Sequence, residues 1–189
     1  MRVIARKGMA AATMQEIAEE AGVAKGTIYL YFRDRDELVE KTFETAITQL
    51  HDRLDAAIAT EPTFAGKLRA SIAEKIRFFS EHREFFRLYT SLRMPVGNAQ
   101  QQRRQRRNCQ PQYRARIDHM TALVEEAVTR GEIRTTNPQR MALFIIEASN
   151  AIVIDRVMED MPPPEQDDVD MIADTILNGI STQNERSKH

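Results

Sequence analysis

The chain has 189 residues, 42% of them hydrophobic and 29% charged, and its formal net charge is −1 at pH 7. A chain of this length can bury a sizeable core, and the balanced charge excludes a uniformly basic polycation. The lone Cys109 excludes an intrachain disulfide, and no apolar run is long enough to span a bilayer. No signal peptide is recognisable, so we expect a cytoplasmic protein.

The chain contains few glycines and no sustained alternation of polar and apolar residues, so we expect an all-α fold. The first predicted element is the end of a helix at residues 1–7, which carries Val3 and Ile4 and stops at Gly8. The helical pattern resumes at Thr13.

Two short helices with a tight turn between them follow from Thr13. We expect Thr13 to cap the first helix, Glu16 to complete a capping box, and Gly22 to end the helix in the left-handed conformation. Val23 is predicted to be a buried plug, and a second short helix is predicted over residues 24–32. This arrangement is a helix-turn-helix, whose second helix lies in the major groove of DNA.

The residues around this turn resemble those of one known family. The stretch Ala-Gly-Val-Ala-Lys-Gly-Thr-Ile-Tyr-Leu-Tyr-Phe, followed by Arg-Asp-Arg-Asp-Glu-Leu, resembles the N-terminal domain of the TetR family of bacterial transcriptional regulators. The resemblance implies a three-helix DNA-binding domain at residues 1–40, a larger helical-bundle domain for ligand sensing and dimerisation at 41–180, and a frayed tail at 181–189. The family's first helix is longer, so we expect it to be shortened here.

Three residues at the start of the second helix are candidates for base contacts. Lys25, Gly26 and Thr27 occupy the first turn, which is the part of such a helix that approaches base edges. Lysine can donate to guanine, threonine offers a hydroxyl and a methyl group, and glycine permits close approach of the backbone.

Four further residues are candidates for contacts with DNA phosphates: Thr13, Tyr29, Tyr31 and Arg35. Taken singly, each also has a structural explanation, because a tyrosine at a helix end is often a surface residue and Arg35 can pair with a neighbouring aspartate. The family resemblance implies DNA contacts for Thr13, Lys25, Thr27, Tyr29, Tyr31 and Arg35.

The charge of this region limits its affinity for DNA, which comes largely from neutralised phosphates. Residues 1–40 contain six lysines and arginines against seven aspartates and glutamates. We therefore expect the basic groups to gather on one face and Glu16, Glu19 and Glu20 to point away from DNA. A single such domain would bind weakly, which argues for a dimer.

Apolar residues at helical spacing predict a long helix over residues 35–60 and another over 63–80. The resemblance implies that the long helix transmits movement of the larger domain, although a plain connector explains its pattern equally well. Residues 98–110 are rich in glutamine and arginine, and we favour a solvated loop or helix start there over a second DNA contact. A further helix is predicted over residues 113–130, ending at Gly131.

The last two predicted helices suit a subunit interface. Asn137 and Pro138 are predicted to open a helix, with Pro138 in its first turn. Its residues 141–161 are apolar nearly all round, so this helix must be covered on two sides. The final helix is predicted over residues 167–180, after the break at residues 162–164. Paired with its symmetry mate, this hairpin would form a four-helix interface, so we expect a homodimer through the last two helices.

The larger domain is a candidate for a small-molecule pocket with apolar walls and two polar groups. Its candidate residues are Phe78, Phe79, Phe86, Met120, Leu123, Phe144, Glu147 and Asn150. The alternative is a filled core in which Asn150 bonds to a neighbouring helix. The residues alone favour the filled core, and the resemblance to ligand-responsive repressors brings the two interpretations nearer to balance.

Other chemistry finds little support in the sequence. The four histidines are scattered without metal-ligand spacing, and no catalytic or phosphate-binding motif occurs. Cys109 lies among arginines, which would suit a redox sensor, but a lone cysteine is more often incidental. We therefore predict no enzyme, no metal site and no cofactor.

These observations predict a ligand-responsive transcriptional regulator, and more narrowly a repressor. It would bind a near-palindromic operator in double-stranded DNA as a homodimer and be released by a small apolar or amphipathic effector. The alternative is a dimeric ligand-binding or protein-interaction module with lost or weakened DNA binding.

Overall fold

The computed structural model describes residues 3, 12–86, 89, 99–159 and 166–180, and the backbone alone for residues 99–110, 157, 158 and 180. Regular structure in these ranges is helical, which confirms the prediction of an all-α fold. None of the helices among these residues combines the length and apolar composition needed to cross a membrane.

The described helices, in chain order, are α1 (Met14–Glu20), α2 (Lys25–Tyr29), α3 (Arg35–Ala59), α4 (Phe64–Glu81), α5 (Ala99–Thr129), α6 (Pro138–Met158) and α7 (Gln166–Ile180). A further helical turn occupies residues 83–86. The predicted first helix lies outside the described residues apart from Val3, which is helical and buried. The predicted break at 162–164, the Cys109 side chain and the tail at 181–189 also lie outside them.

The chain divides into two compact units, with boundaries inside α3, at the end of α4 and inside α5. Unit 1 comprises Met1–Gln49 and His82–Pro111, and unit 2 comprises Leu50–Glu81 and Gln112–His189. The functional division at residue 40, between DNA binding and ligand sensing, stays a prediction.

The predicted capping box and glycine stop of α1 are both confirmed. The Thr13 hydroxyl accepts a hydrogen bond from the Glu16 backbone N–H (3.3 Å), and the Glu16 carboxylate accepts one from the Thr13 N–H (3.1 Å). Gly22 has a φ of 67°, and the following Val23 N–H donates to the Ala18 carbonyl at 3.0 Å. These bonds satisfy backbone groups that a helix end leaves without partners.

Two details of the predicted turn are wrong. Val23 is 41% exposed rather than buried, and the buried side chains of the contacting helices α1 and α2 include Ile17, Ala18 and Ile28. Helix α2 ends at Tyr29 instead of residue 32. Its N-cap residue is an alanine without a side-chain bond, and a glycine follows inside the first turn, so few local interactions favour a longer helix.

The core of unit 1 contains an aromatic cluster. Phe43 of α3 has its ring centroid 5.6 Å from that of Phe85 and 6.5 Å from that of Tyr89. Leu38 and Ile47 of α3 are buried as well. This cluster explains why residues 82–86 belong to the same unit as the start of α3.

In unit 2, α4 packs against α6 and α7, which also contact each other. The apolar stripe of α4 is fully buried through Leu68, Ile72 and Ile76. At the edge of this packing, Arg69 pairs with Asp170 (3.2 Å) and with a second aspartate of α7.

Helix α5 is longer than predicted. It begins at Ala99 rather than at residue 113, and it contains Pro111. Glutamine and arginine are good helix formers, so the polar segment before the proline can extend the helix although the proline removes one backbone hydrogen bond. The helix ends at the predicted glycine, because Gly131 has a φ of 72° and the next N–H, from Glu132, donates to the Ala127 carbonyl.

Candidate DNA-binding and effector sites

The first turn of α2 is accessible. Lys25, Gly26 and Thr27 are exposed, while Ile28, the next residue, is buried. A Cβ atom built on Gly26 would meet nothing within 4 Å, so the backbone at this position has open space in front of it. The first turn of α2 thus exposes the three candidates for base contacts, and the residue that follows them anchors the helix in the protein.

Two tyrosines and a leucine extend the exposed surface of this turn. The Lys25 Nζ lies 5.9 Å from the centroid of the Tyr29 ring, a cation–π contact one helical turn apart. Tyr31 is 76% exposed and Leu30 81% exposed in the turn that follows α2.

The other two candidate residues are already engaged within the protein. Thr13 supplies the capping hydroxyl of α1. Arg35 donates to the Ala12 carbonyl (3.3 Å) and pairs with Asp36 (3.0 Å), as one of its structural explanations predicted. Arg35 therefore ties the residue that precedes the α1 cap to the start of α3.

The other arginine of this region, Arg33, is also paired with a carboxylate. Arg33 pairs with Glu37 (3.0 Å), and the Arg33 backbone N–H donates to the same carboxylate (2.7 Å). These bonds lower the pKa of Glu37 below its ordinary value. Two of the three basic residues between residues 12 and 40 are therefore paired with carboxylates, and the third is Lys25.

The predicted pocket residues differ in their surroundings. Phe78, Phe79 and Met120 are buried in unit 2, and the two phenylalanine rings make an edge-to-face contact at 5.7 Å. Phe86 is buried in unit 1, outside the unit that holds the others. Leu123 is half-buried, and Phe144 of α6 is 56% exposed.

The two polar pocket candidates belong to a hydrogen-bond network in unit 2. The Tyr113 hydroxyl donates to Glu147 (2.7 Å), and the Asn150 amide N–H donates to the same carboxylate (3.2 Å). The Asn150 carbonyl accepts from the buried Lys75 ammonium of α4 (3.0 Å), which also donates to Ser149 (2.7 Å). The bond from Asn150 to a neighbouring helix is the one that the filled-core interpretation expects.

A second polar cluster, which the sequence analysis missed, lies between α3 and α5 in unit 2. Arg116 donates to Asp55 (2.8 Å), and the His119 Nδ1 lies 3.2 Å from the same carboxylate. Burial, and next the charge of Arg116, lower the pKa of His51. The Arg116 Nη2 and the Gln112 Oε1 are buried without a hydrogen-bond partner among the described residues.

A signal for this cluster was present in the sequence. Gln112 and Arg116 continue, at four-residue spacing, the line of Met120 and Val124, which are both buried. Polar residues in register with a buried apolar stripe indicate an interior polar site. No group of three or more histidine, cysteine, aspartate or glutamate side chains in the described ranges could hold a metal ion.

Comparison with known proteins agrees with this geometry. Residues 1–42 match the signature described as "Bacterial regulatory proteins, tetR family". The chain is 21% identical over 174 residues to the HTH-type transcriptional regulator YhgD of Bacillus subtilis (strain 168), covering 92% of this chain and 88% of that protein. It is 25% identical over 146 residues to the fatty acid metabolism regulator protein of the same organism, covering 77% and 73%.

Solved structures share the fold along nearly the whole chain. The regulator FadR from Bacillus subtilis, in complex with stearoyl-CoA, has a TM-score of 0.80 at 22% identity, covering 95% of this chain and 94% of that one. The matched signature contains the described helices α1 and α2 and the start of α3. Residues 1–42 thus carry the signature of the tetR family of bacterial regulatory proteins, and the chain as a whole shares its all-α fold with the solved regulator.

Proposed function

We propose that this regulator is a cytoplasmic repressor that binds a near-palindromic operator as a homodimer. A small apolar or amphipathic effector releases it from DNA. The observation that carries the proposal is the exposure of Lys25, Gly26 and Thr27 on the first turn of α2, next to the buried Ile28. Residues at this position of a helix-turn-helix reach base edges in the major groove.

The three exposed residues have complementary roles in this proposal. Lys25 donates to O6 or N7 of a guanine, and Thr27 contacts a thymine methyl or donates its hydroxyl. Gly26 allows the backbone to come close to the base pairs, because no side chain fills the open space in front of it. The Tyr29 ring holds the Lys25 ammonium on one side and limits the directions in which it can donate.

Phosphate contacts fix the helix in the groove. The hydroxyls of Tyr29 and Tyr31 are the principal candidates, because both side chains are exposed beside the base-contact turn. Thr13 contributes through the N-terminal end of α1. Arg35 acts partly through its bond to the Ala12 carbonyl, which holds the backbone that carries Thr13.

The charge pattern supports a dimer. Arg33 and Arg35 are paired with carboxylates, so one copy of the domain neutralises few phosphates. Two copies on one operator raise the affinity, since the second contact forms at a high effective concentration. A two-fold dimer also requires a near-palindromic site.

An exposed apolar surface on the last two helices supports the position of the dimer interface. Leu143 and Phe144 of α6 and Met171 of α7 are large apolar side chains that are at least 40% exposed. Apolar surface of this kind is characteristic of an interaction site. In a two-fold dimer the same surface of both subunits meets itself.

Two relatives support the chemical class of the effector. One is a fatty acid metabolism regulator, and the other, FadR, is bound to stearoyl-CoA. We therefore assign this chain an effector with a long apolar acyl chain. Release from DNA requires that the effector bind the DNA-free conformation more tightly than the DNA-bound one, because equal affinity would shift nothing.

The test begins with selection of bound fragments from the source genome, followed by gel retardation at several salt concentrations. We expect affinity to fall steeply with salt. Lys25→Ala and Thr27→Ala should each reduce discrimination between operator and mutated sites by about 1–3 kcal/mol. Lys41→Ala is the matched control, because Lys41 is an exposed lysine of α3 that pairs with Glu44.

Addition of stearoyl-CoA to the complex should release the DNA, whereas coenzyme A alone should not. The proposal is overturned if no fragment is enriched, or if Lys25→Ala and Lys41→Ala have the same effect on sequence preference. If the protein binds the operator but stearoyl-CoA does not release it, the assigned effector class is overturned and the proposal of operator binding stands.

A further inference from the structure

We infer that Gln112 and Arg116 of α5 form the polar end of an effector site in unit 2. The site takes an anionic oxygen group, a carboxylate or a phosphate, that is joined to an apolar chain directly or, as in an acyl-CoA, through a linker. This inference rests on the proposed function, because it assumes that unit 2 binds the effector, and it adds the residues that recognise the effector's polar group.

Arg116 carries the main part of the argument. Its side chain is only 10% exposed, and its Nη1 donates to Asp55 at 2.8 Å. Its Nη2 is buried and has no acceptor among the described residues. A buried donor without a partner costs about 1–3 kcal/mol, and more in a charged group, so this geometry suits an acceptor that comes from outside the chain.

Gln112 lies one helical turn before Arg116 on the same face of α5. Its Oε1 is also buried without a partner among the described residues. A half-turn of the amide exchanges this oxygen for its N–H group, since the side chain carries both a donor and an acceptor. The two side chains can then present N–H donors to one anionic group.

The surroundings of His51 favour an anion at this place. His51 lies one turn before Asp55 on α3, and the groups that act on its charge are Arg116, Asp55, Asp52 and His119. The largest of these charge effects comes from Arg116 and is repulsive to a proton, so it lowers the pKa of His51. The positive charge of Arg116 is therefore felt at His51 despite the nearby carboxylates, and a bound anion would offset it.

The position on α5 supplies the apolar part of the site. The line of Gln112 and Arg116 continues into the buried Met120 and Val124. An effector with its polar group at Arg116 would thus have its chain near an apolar surface. Two further cations of unit 2, Lys75 and Arg156, are buried. Both suit this role less well, because the Lys75 ammonium already donates to Ser149, Asn150 and a backbone carbonyl, and Arg156 is paired with Asp168.

The test compares three probes with the same apolar chain and different polar groups: decanoate, decyl phosphate and decanol. Calorimetric titration of the full-length protein without DNA should give at least about tenfold tighter binding of one anionic probe than of decanol, as a charge-assisted hydrogen bond implies. Arg116→Gln should reduce this preference to about threefold or less. Arg114→Gln should retain it, because Arg114 is an exposed arginine two residues away on the same helix.

A second variant guards against misfolding of Arg116→Gln. Gln112→Leu leaves the Arg116–Asp55 pair intact and removes an unpartnered acceptor, so its Tm should not fall, while the preference for the anionic probe should fall about threefold or more. The inference is overturned if no probe binds, if decanol binds as tightly as both anionic probes, or if both variants keep the wild-type preference. These measurements need no operator, so a failure of DNA binding would leave them interpretable.

Discussion

A single hydroxyl group at Thr13 determines where α1 begins. The hydroxyl accepts the Glu16 N–H, and the Glu16 carboxylate accepts the Thr13 N–H in return. A helix of seven residues gains little from propagation of its own hydrogen bonds, so its ends contribute much of its stability. The same helix packs against α2, whose first turn we propose to contact DNA.

Thr13→Ala should lower the free energy of unfolding by about 1 kcal/mol, because the Glu16 N–H loses its acceptor. Chemical denaturation followed by circular dichroism measures this change. Thr13→Ser, which keeps the hydroxyl, should differ little from wild type. Equal losses in the two variants would contradict a capping role for the hydroxyl.

His51 should make stability depend on pH. Its pKa is lowered in the folded state by burial and by Arg116, so the unfolded state, with an ordinary pKa of about 6.5, binds a proton more readily. The free energy of unfolding should therefore fall as the pH drops below about 6.5 and be insensitive to His51 above it.

In His51→Gln, the contribution of His51 to the fall in the free energy of unfolding between about pH 7 and pH 5 should disappear. His82→Gln is the matched control, because His82 is exposed. Denaturation at a series of pH values gives the slopes. A slope in His51→Gln equal to that of wild type would contradict the prediction.

Among the elements, the helices with a regular apolar stripe were the ones that sequence reasoning predicted well. Bounds of α3, α4 and α7 agree with the predicted ranges to within one or two residues, because each helix buries a stripe at helical spacing. The bounds of α2 and α5 were predicted less well. The end of α2 depends on local hydrogen bonds, and the start of α5 depends on whether the helix can include Pro111. The spacing of apolar residues carries no information on either.

Leu68→Ala should test the contribution of the α4 stripe. Leu68 is buried in unit 2, so its truncation leaves a cavity and should lower the free energy of unfolding by about 2–5 kcal/mol. The same change at Leu30, which is 81% exposed, should cost less than about 0.5 kcal/mol. Thermal or chemical denaturation compares the two, and similar losses would contradict the assigned burial.

At the scale of the whole molecule, the exposed apolar side chains of α6 and α7 are the feature that supports the homodimer proposed above. A helix that is apolar nearly all round was predicted to need cover on two sides. Ile145, Ile146 and Val153 are buried within the chain, whereas Leu143 and Phe144 are exposed. The homodimer that we propose would cover these two residues.

Phe144→Ser should weaken the dimer without unfolding the subunit, because its side chain is more than half exposed within one chain. Analytical ultracentrifugation should show a dissociation constant raised by about tenfold or more, as expected for an aromatic residue at an interface. Leu30→Ser removes an apolar side chain that is still more exposed, in unit 1, and should leave the constant unchanged. Equal dissociation constants in Phe144→Ser and wild type would contradict the proposed interface.

The candidate sites show the limit of prediction from sequence at this scale. Lys25, Gly26 and Thr27 were identified because their neighbours form a local pattern within one turn. Arg116 and Lys75 were missed, since their burial depends on partners about 60 to 75 residues away in the chain. The register of Arg116 with Met120 and Val124 was a local signal for its burial, but nothing local identifies its partner Asp55.

Helix α2 has only five residues and no side-chain cap at its start. Isolated helices of that length are not stable in water, so a synthetic peptide copied from residues 24–32 would be largely unstructured. Such a peptide would have to be ordered at the moment it met the duplex, and that ordering would cost most of its affinity. Peptide inhibitors that imitate the segment proposed to contact the groove would therefore need a staple or a grafted scaffold in place of the packing of α2 against α1.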